Sequence, residues 1–110
     1  MTIDVEQTGN CVCITLDGNL DTEGDKKLAK TLRYVQRLRD FDTVSFDMEK
    51  VFYATSSGIG RILNFYKFLE TTERIMEING ISQSLYEQFK DIHLETLFPI
   101  NKDKIASKKK

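Results

Sequence analysis

Two short runs in which apolar and polar positions alternate open the chain, residues 2–7 and 11–16, separated by Gly9-Asn10. A period of two buries one face of a strand, and the Gly-Asn step suits a tight turn, so the pair is predicted to form an antiparallel hairpin. The period then lengthens. Leu28, Leu32, Val35 and Leu38 recur at helical spacing, which predicts an amphipathic helix from residue 22 to about 39, and Thr22-Glu23-Gly24-Asp25 resembles a capping box at its start. Val44, Phe46 and Met48 return to strand spacing over residues 43–48. A mostly apolar loop at 51–54 leads to Ile59, Ile62, Leu63, Tyr66 and Leu69, the stripe of a second helix over residues 57–70. Residues 74–79 read as a fourth strand closed by Gly80, and Ser82 caps a last helix with Leu85, Phe89 and Ile92 on one side. Helices that alternate with strands require crossovers. The expected fold class is therefore α/β, a mixed β-sheet with helices packed mainly on one face.

Between the third strand and the second helix lies Thr55-Ser56-Ser57-Gly58-Ile59-Gly60. Both serines fall at the helix start, where a hydroxyl can cap unpaired N–H groups and where those groups, with the helix dipole, favour an anion. Gly58 and Gly60 would weaken an isolated helix but leave the backbone bare for close approach. A partner surface or a phosphate is the natural occupant. Phe65 and Phe68 lie partly off the main apolar stripe, so they either leave an apolar patch beside Ser56 or belong to the core of a deeply buried helix.

At 110 residues the chain suffices for one sizeable core and not for two. Lys+Arg 16 nearly balance Asp+Glu 17, but five lysines and one aspartate fall in residues 102–110 and leave the remainder moderately acidic. The expected organisation is a domain at 1–101 followed by a flexible lysine-rich tail at 102–110. That balance is the opposite of a nucleic-acid-binding domain, and Lys26, Lys30, Arg33 and Arg37, opposite the leucines, read as a solvated helix face. No apolar run approaches the roughly 20 residues of a spanning helix, and the N-terminus does not resemble a signal peptide. A soluble cytoplasmic protein without membrane contact is expected.

Cys11 and Cys13 are expected on opposite faces of the second strand, too divergent to share a metal or a disulfide, and no second Cys or His pair supports zinc. The segment Gly58-Ile59-Gly60-Arg61-Ile62-Leu63 begins like a dinucleotide fingerprint but ends in Leu63 where Gly or Ala is needed. His93 has no nucleophile in a triad-like arrangement, and the carboxylates show no motif pairing. Neither a metal nor enzymatic activity is expected.

Three segments together resemble the anti-sigma-factor antagonists built on the STAS domain. Leu16-Asp17-Gly18-Asn19-Leu20-Asp21 is similar to the family's turn from second strand to first helix, Ser56-Ser57-Gly58-Ile59-Gly60 to its phosphoacceptor segment, and Leu94-Glu95-Thr96-Leu97-Phe98-Pro99-Ile100 to its closing segment. They occur in the family's order at about its spacing, so the resemblance covers nearly the whole chain apart from the tail. It implies a phosphorylated serine at Ser56, with Ser57 as the adjacent hydroxyl and Asp21 as the acidic residue near the site. Two positions depart: Thr55 stands where the family usually has aspartate, and His93 where glycine commonly ends the last helix. A left-handed His93 is expected to fill that role.

The resemblance further implies a partner switch. Unmodified, a surface of Asp21, Thr55, Ser57, Gly58, Gly60, Arg61 and Phe65 around Ser56 would bind an anti-sigma factor that is also a serine kinase and so release the sigma factor. Phosphorylation of Ser56 would end that binding and a serine phosphatase would restore it. The ATP belongs to the kinase, so the chain needs no cofactor, and a monomer or weak dimer is expected. The competing reading is a STAS adaptor or subunit of a larger regulatory or transporter complex, not phosphorylated; a third is a small anion or nucleotide at the helix N-terminus.

Overall fold

The computed structural model describes residues 1–97 and Ile100, except for the side chain of Glu95; residues 98, 99 and 101–110, including the expected tail, lie outside the described residues. Seven elements follow in order: β1 (Thr2–Thr8), β2 (Cys11–Asp17), α1 (Thr22–Gln36), β3 (Thr43–Lys50), α2 (Ser56–Thr71), β4 (Ile75–Ile81) and α3 (Gln83–Asp91), with a 3₁₀ turn at Leu94–Thr96. The strands form one mixed sheet in the order β1-β2-β3-β4. The hairpin pair is antiparallel, and β2, β3 and β4 run parallel.

Register explains which face is buried. Val5 pairs with Ile14, Ile14 with Phe46 and Phe46 with Ile78, so one apolar row crosses the whole sheet. Leu28, Leu32 and Val35 of α1, Ile59, Ile62, Phe65 and Leu69 of α2, and Leu85 and Phe89 of α3 join that row in a single core cluster. Phe46 meets Phe65 edge to face, with ring centroids 6.0 Å apart, a geometry that adds to the area both rings remove from water. The other face of the sheet carries Cys13, Ser45 and Glu77 in register and is only half-buried.

Several boundaries differ from expectation for local reasons. Helix α1 is capped by Asp21, not Thr22, and it ends at Gln36 because the Arg37 and Leu38 N–H groups tighten onto Tyr34 and Val35. Helix α2 is capped by Thr55, not by the serines. Strand β4 continues through Gly80 to Ile81: Gly80 adopts φ +145, and a Cβ there would lie 2.7 Å from Asp47 Oδ1, so only glycine lets the strand pass. Cys11 and Cys13 do not diverge. Residues i and i+2 of a strand share a face, and the two Sγ atoms lie 3.8 Å apart. Burial pushes the Cys11 thiol up to about 11, aided by Cys13 beside it. His93 takes the left-handed conformation (φ 61) expected of it.

Candidate functional site

Because β2, β3 and β4 are parallel, the loops leaving their C-terminal ends gather along one edge of the sheet, the usual place for a site in such folds. The loop at 51–55 is held there from two sides. On one, the Leu20 N–H donates to the Tyr53 carbonyl and the Thr55 N–H to the Leu20 carbonyl, each at 2.9 Å, while Asn19 Oδ1 accepts from the Phe52 N–H at 3.1 Å. On the other, Ser82 Oγ donates to the Val51 carbonyl at 2.6 Å and Ser84 Oγ to the Phe52 carbonyl at 3.1 Å. The Gln88 carboxamide accepts from the Ala54 N–H and donates to its carbonyl, as a neighbouring strand would. A loop so paired presents the residues after it on a fixed platform.

Those residues have divided roles. Thr55 Oγ1 accepts from the Gly58 N–H at 3.1 Å and caps α2. The Ser56 hydroxyl is exposed and has no hydrogen-bond partner among the described residues. Ser57 Oγ donates to Asp25 Oδ2 at 2.8 Å, and Arg61 reaches both oxygens of the same carboxylate, Nε to Oδ1 at 3.0 Å and Nη2 to Oδ2 at 3.2 Å. Asp25 is only 8% exposed. The Arg61 hydrogen bonds hold its carboxyl below the usual carboxylate range against the opposing effect of burial, with Ser57 adding to them. Asp25 in turn raises the pKa of Arg61.

The remaining expected site residues separate into surface and interior. Asp21 Oδ1 accepts from the Gly24 N–H at 2.9 Å as the cap of α1, in the loop whose Leu20 pairs with Ala54. Gly60 is open, with nothing within 4 Å of a Cβ placed there. Gly58 is buried, and a Cβ there would lie 3.1 Å from Leu20 Cβ, so its bare backbone admits the neighbouring loop and not an outside partner. Phe65 is a correction of the same kind: at 2% exposed it belongs to the core beneath the site. Large exposed apolar side chains near this segment in the chain are Phe52 and Tyr53, 60% and 52% exposed in the loop that leads into α2. Both lie in the stretch that reads in the sequence only as a mostly apolar loop, outside the 55–60 segment. Asp25 lies in the stretch that reads as a capping box, and Gln88 carries no local signal in the sequence.

Among the described residues no group of three or more His, Cys, Asp or Glu could hold a metal ion, and no helix is long and apolar enough to cross a membrane.

No curated protein sequence matches the chain. Solved structures do. The anti-sigma factor antagonist SpoIIAA in its unphosphorylated form is 19% identical and superposes with a TM-score of 0.76 over 98% of this chain and 95% of its own; the phosphorylated form, from Bacillus, gives 0.71 at 19% identity over 98% of each. An anti-sigma factor antagonist from Mycobacterium paratuberculosis, 17% identical, gives 0.79 over 90% of this chain and 83% of its own. A sulfate transporter family protein from Wolinella succinogenes, 16% identical, gives 0.72 over 87% and 81%. At such identities these superpositions establish the fold. The family model of the STAS domain matches residues 2–106, nearly the full length, and the chain belongs to the STAS domain family.

Proposed function

We propose that this protein is an anti-sigma factor antagonist that acts by partner switching, with Ser56 as the switched residue. The observation that carries the reading is the division of labour at the start of α2: Thr55 and Ser57 are engaged within the fold, and Ser56 alone offers an exposed, uncommitted hydroxyl. Phe52 and Tyr53, exposed in the loop that leads into α2, supply apolar area for a partner. Unmodified, this edge binds an anti-sigma factor that is also a serine kinase, and the sigma factor is freed.

Phosphorylation adds about 1.5 to 2 negative charges at pH 7. The N-terminus of α2, which carries no acidic residue in its first turn, tolerates them. An interface fitted to a neutral hydroxyl does not: if burying the phosphate costs about 3 to 4 kcal/mol, affinity falls roughly a hundred- to a thousand-fold. A serine phosphatase then resets the switch in the cytoplasm. The test is the affinity of Ser56→Ala and Ser56→Asp for the kinase, measured by titration calorimetry. Tight binding by the first and poor binding by the second is expected, and equal affinities overturn the mechanism.

A second reading, a constitutive adaptor in a larger regulatory or transporter assembly, draws on Thr55. Its side chain is occupied in capping α2, so it supplies no charge where the family's aspartate would. The structural likeness to a sulfate transporter family protein accords with that alternative. It predicts a complex retained whatever stands at position 56.

A further inference from the structure

Three hydroxyls stand in a row at the start of α2, and a phosphoryl donor arriving at that edge meets all of them: Thr55, Ser56 and Ser57. Thr55 is turned inward as the helix cap, accepting from the Gly58 N–H. Ser57 is exposed like Ser56 but, unlike it, donates a hydrogen bond to Asp25. That carboxylate is not free to swing away. It projects from α1, is 8% exposed, and is gripped at both oxygens by the Arg61 guanidinium from α2, a fork that fixes position as well as charge.

We infer that Asp25, clamped by Arg61, selects the site of modification: it withholds the Ser57 hydroxyl and leaves Ser56 as the acceptor. The inference rests on the reading that this segment is phosphorylated. In that reaction the γ-phosphoryl group of ATP leaves the β–γ bridging oxygen, a P–O bond forms to the serine Oγ, ADP departs and the hydroxyl proton passes to the kinase or to water. At Ser57 the hydroxyl must first give up its hydrogen bond to Asp25, and the incoming phosphoryl oxygens must approach a fixed carboxylate one hydrogen bond away. Arg61, four residues on along the same face of α2, offers no relief while it is tied to Asp25. At Ser56 neither obstacle exists.

The experiment is phosphosite mapping by tandem mass spectrometry on the full chain and its variants, expressed in the cells that make it. Phosphate on Ser56 is expected in the native protein. Asp25→Ala should raise the Ser57 share of the phosphate by at least about tenfold, the factor that a lost charge-assisted hydrogen bond corresponds to. Ser56→Ala alone should carry none on residues 55–57, and Ser56→Ala with Asp25→Ala should carry it on Ser57. Asp25→Asn, which keeps the shape and removes the charge, gives the same direction if Asp25→Ala does not fold. Phosphate confined to Ser56 in both Asp25 variants overturns the selector and leaves the switch intact. Phosphate on none of the proteins overturns the switch and the selector with it.

Discussion

In α1, the Asp21 side chain turns back onto the Gly24 N–H at 2.9 Å; in α2, Thr55 does the same to Gly58 at 3.1 Å. Both receiving residues are glycine because the loop at 18–21 crosses close to each: a Cβ on Gly24 would lie 2.5 Å from the Asn19 carbonyl oxygen and one on Gly58 3.1 Å from Leu20 Cβ. To that point the two helix starts match. They part in charge. Helix α1 carries Glu23 and Asp25 in its first turn, whereas α2 carries no acidic residue there. The first helix thus answers the positive end of its own dipole, and the second leaves that end unanswered beneath Ser56. The carboxylate that does reach α2 comes from α1, and it goes to Ser57. A shared scaffold is finished in one place with its own carboxylates and in the other without them.

The sharpest way to break the comparison is to give α2 the charge that α1 already has. Ser56→Asp is expected to lower affinity for the kinase roughly a hundred- to a thousand-fold while leaving the melting temperature nearly unchanged, since an acidic residue in the first turn suits the helix. A large loss of stability in Ser56→Asp would mean that this helix start is not the open one.

The glycines give the next effect. Gly24→Ala forces a Cβ against a backbone oxygen that can move only with its loop, so a loss of about 1 to 3 kcal/mol is expected. Gly58→Ala presses on the Leu20 side chain at 3.1 Å, and about 0.5 to 1 kcal/mol of helix propensity offsets part of the strain, so the net change should be small. Urea denaturation of both variants measures the difference. Equal losses would show that the loop presses the two starts alike.

These pairs also show what the sequence could and could not disclose. Alternation at Val12, Ile14 and Leu16, and helical spacing at Leu28, Leu32 and Val35, are one-dimensional records of burial, and all six residues are in the core. The stripe of α2 was harder to assign because Phe65 and Tyr66 are both large and adjacent, and about 100° of helix rotation separates them. The third dimension decides: Phe65 faces Phe46, and the Tyr66 hydroxyl reaches the Leu97 carbonyl at 2.9 Å. The Ser57, Arg61 and Asp25 cluster joins positions 32 and 36 residues apart, and no local pattern records a contact at that range. Gln88 holding Ala54 is the same case, 34 residues away. The motif at 55–60 was legible; what divides its hydroxyls was not.

Exposed aromatics come next in size. Phe52 and Tyr53 are exposed in the loop that leads into α2 and have no counterpart at the start of α1, where the preceding loop is Gly18, Asn19, Leu20 and Asp21. Phe52→Ala and Tyr53→Ala should each weaken kinase binding by about 1 to 2 kcal/mol, mainly through faster dissociation. Their thermal stability should stay near that of the native protein. Unchanged binding kinetics in both would move the partner surface away from the 51–55 loop.

The smallest effect concerns the carboxylate that α1 lends to α2. Asp25 has its pKa lowered in the folded protein by Arg61 and Ser57, so the unfolded chain binds that proton more readily than the folded one. The stabilisation is therefore fully present above the unfolded carboxylate range and is lost as the pH falls through the lower folded value. Arg61 is partly exposed, with 40% of its side chain open to solvent, which screens the pair, so Asp25→Asn should cost about 1 kcal/mol near neutral pH. Denaturant titrations of native and Asp25→Asn protein at about pH 7 and about pH 3 should show that gap narrowing at the acid end. A gap for Asp25 that is independent of pH would mean that shape, and not charge, couples the two helix starts.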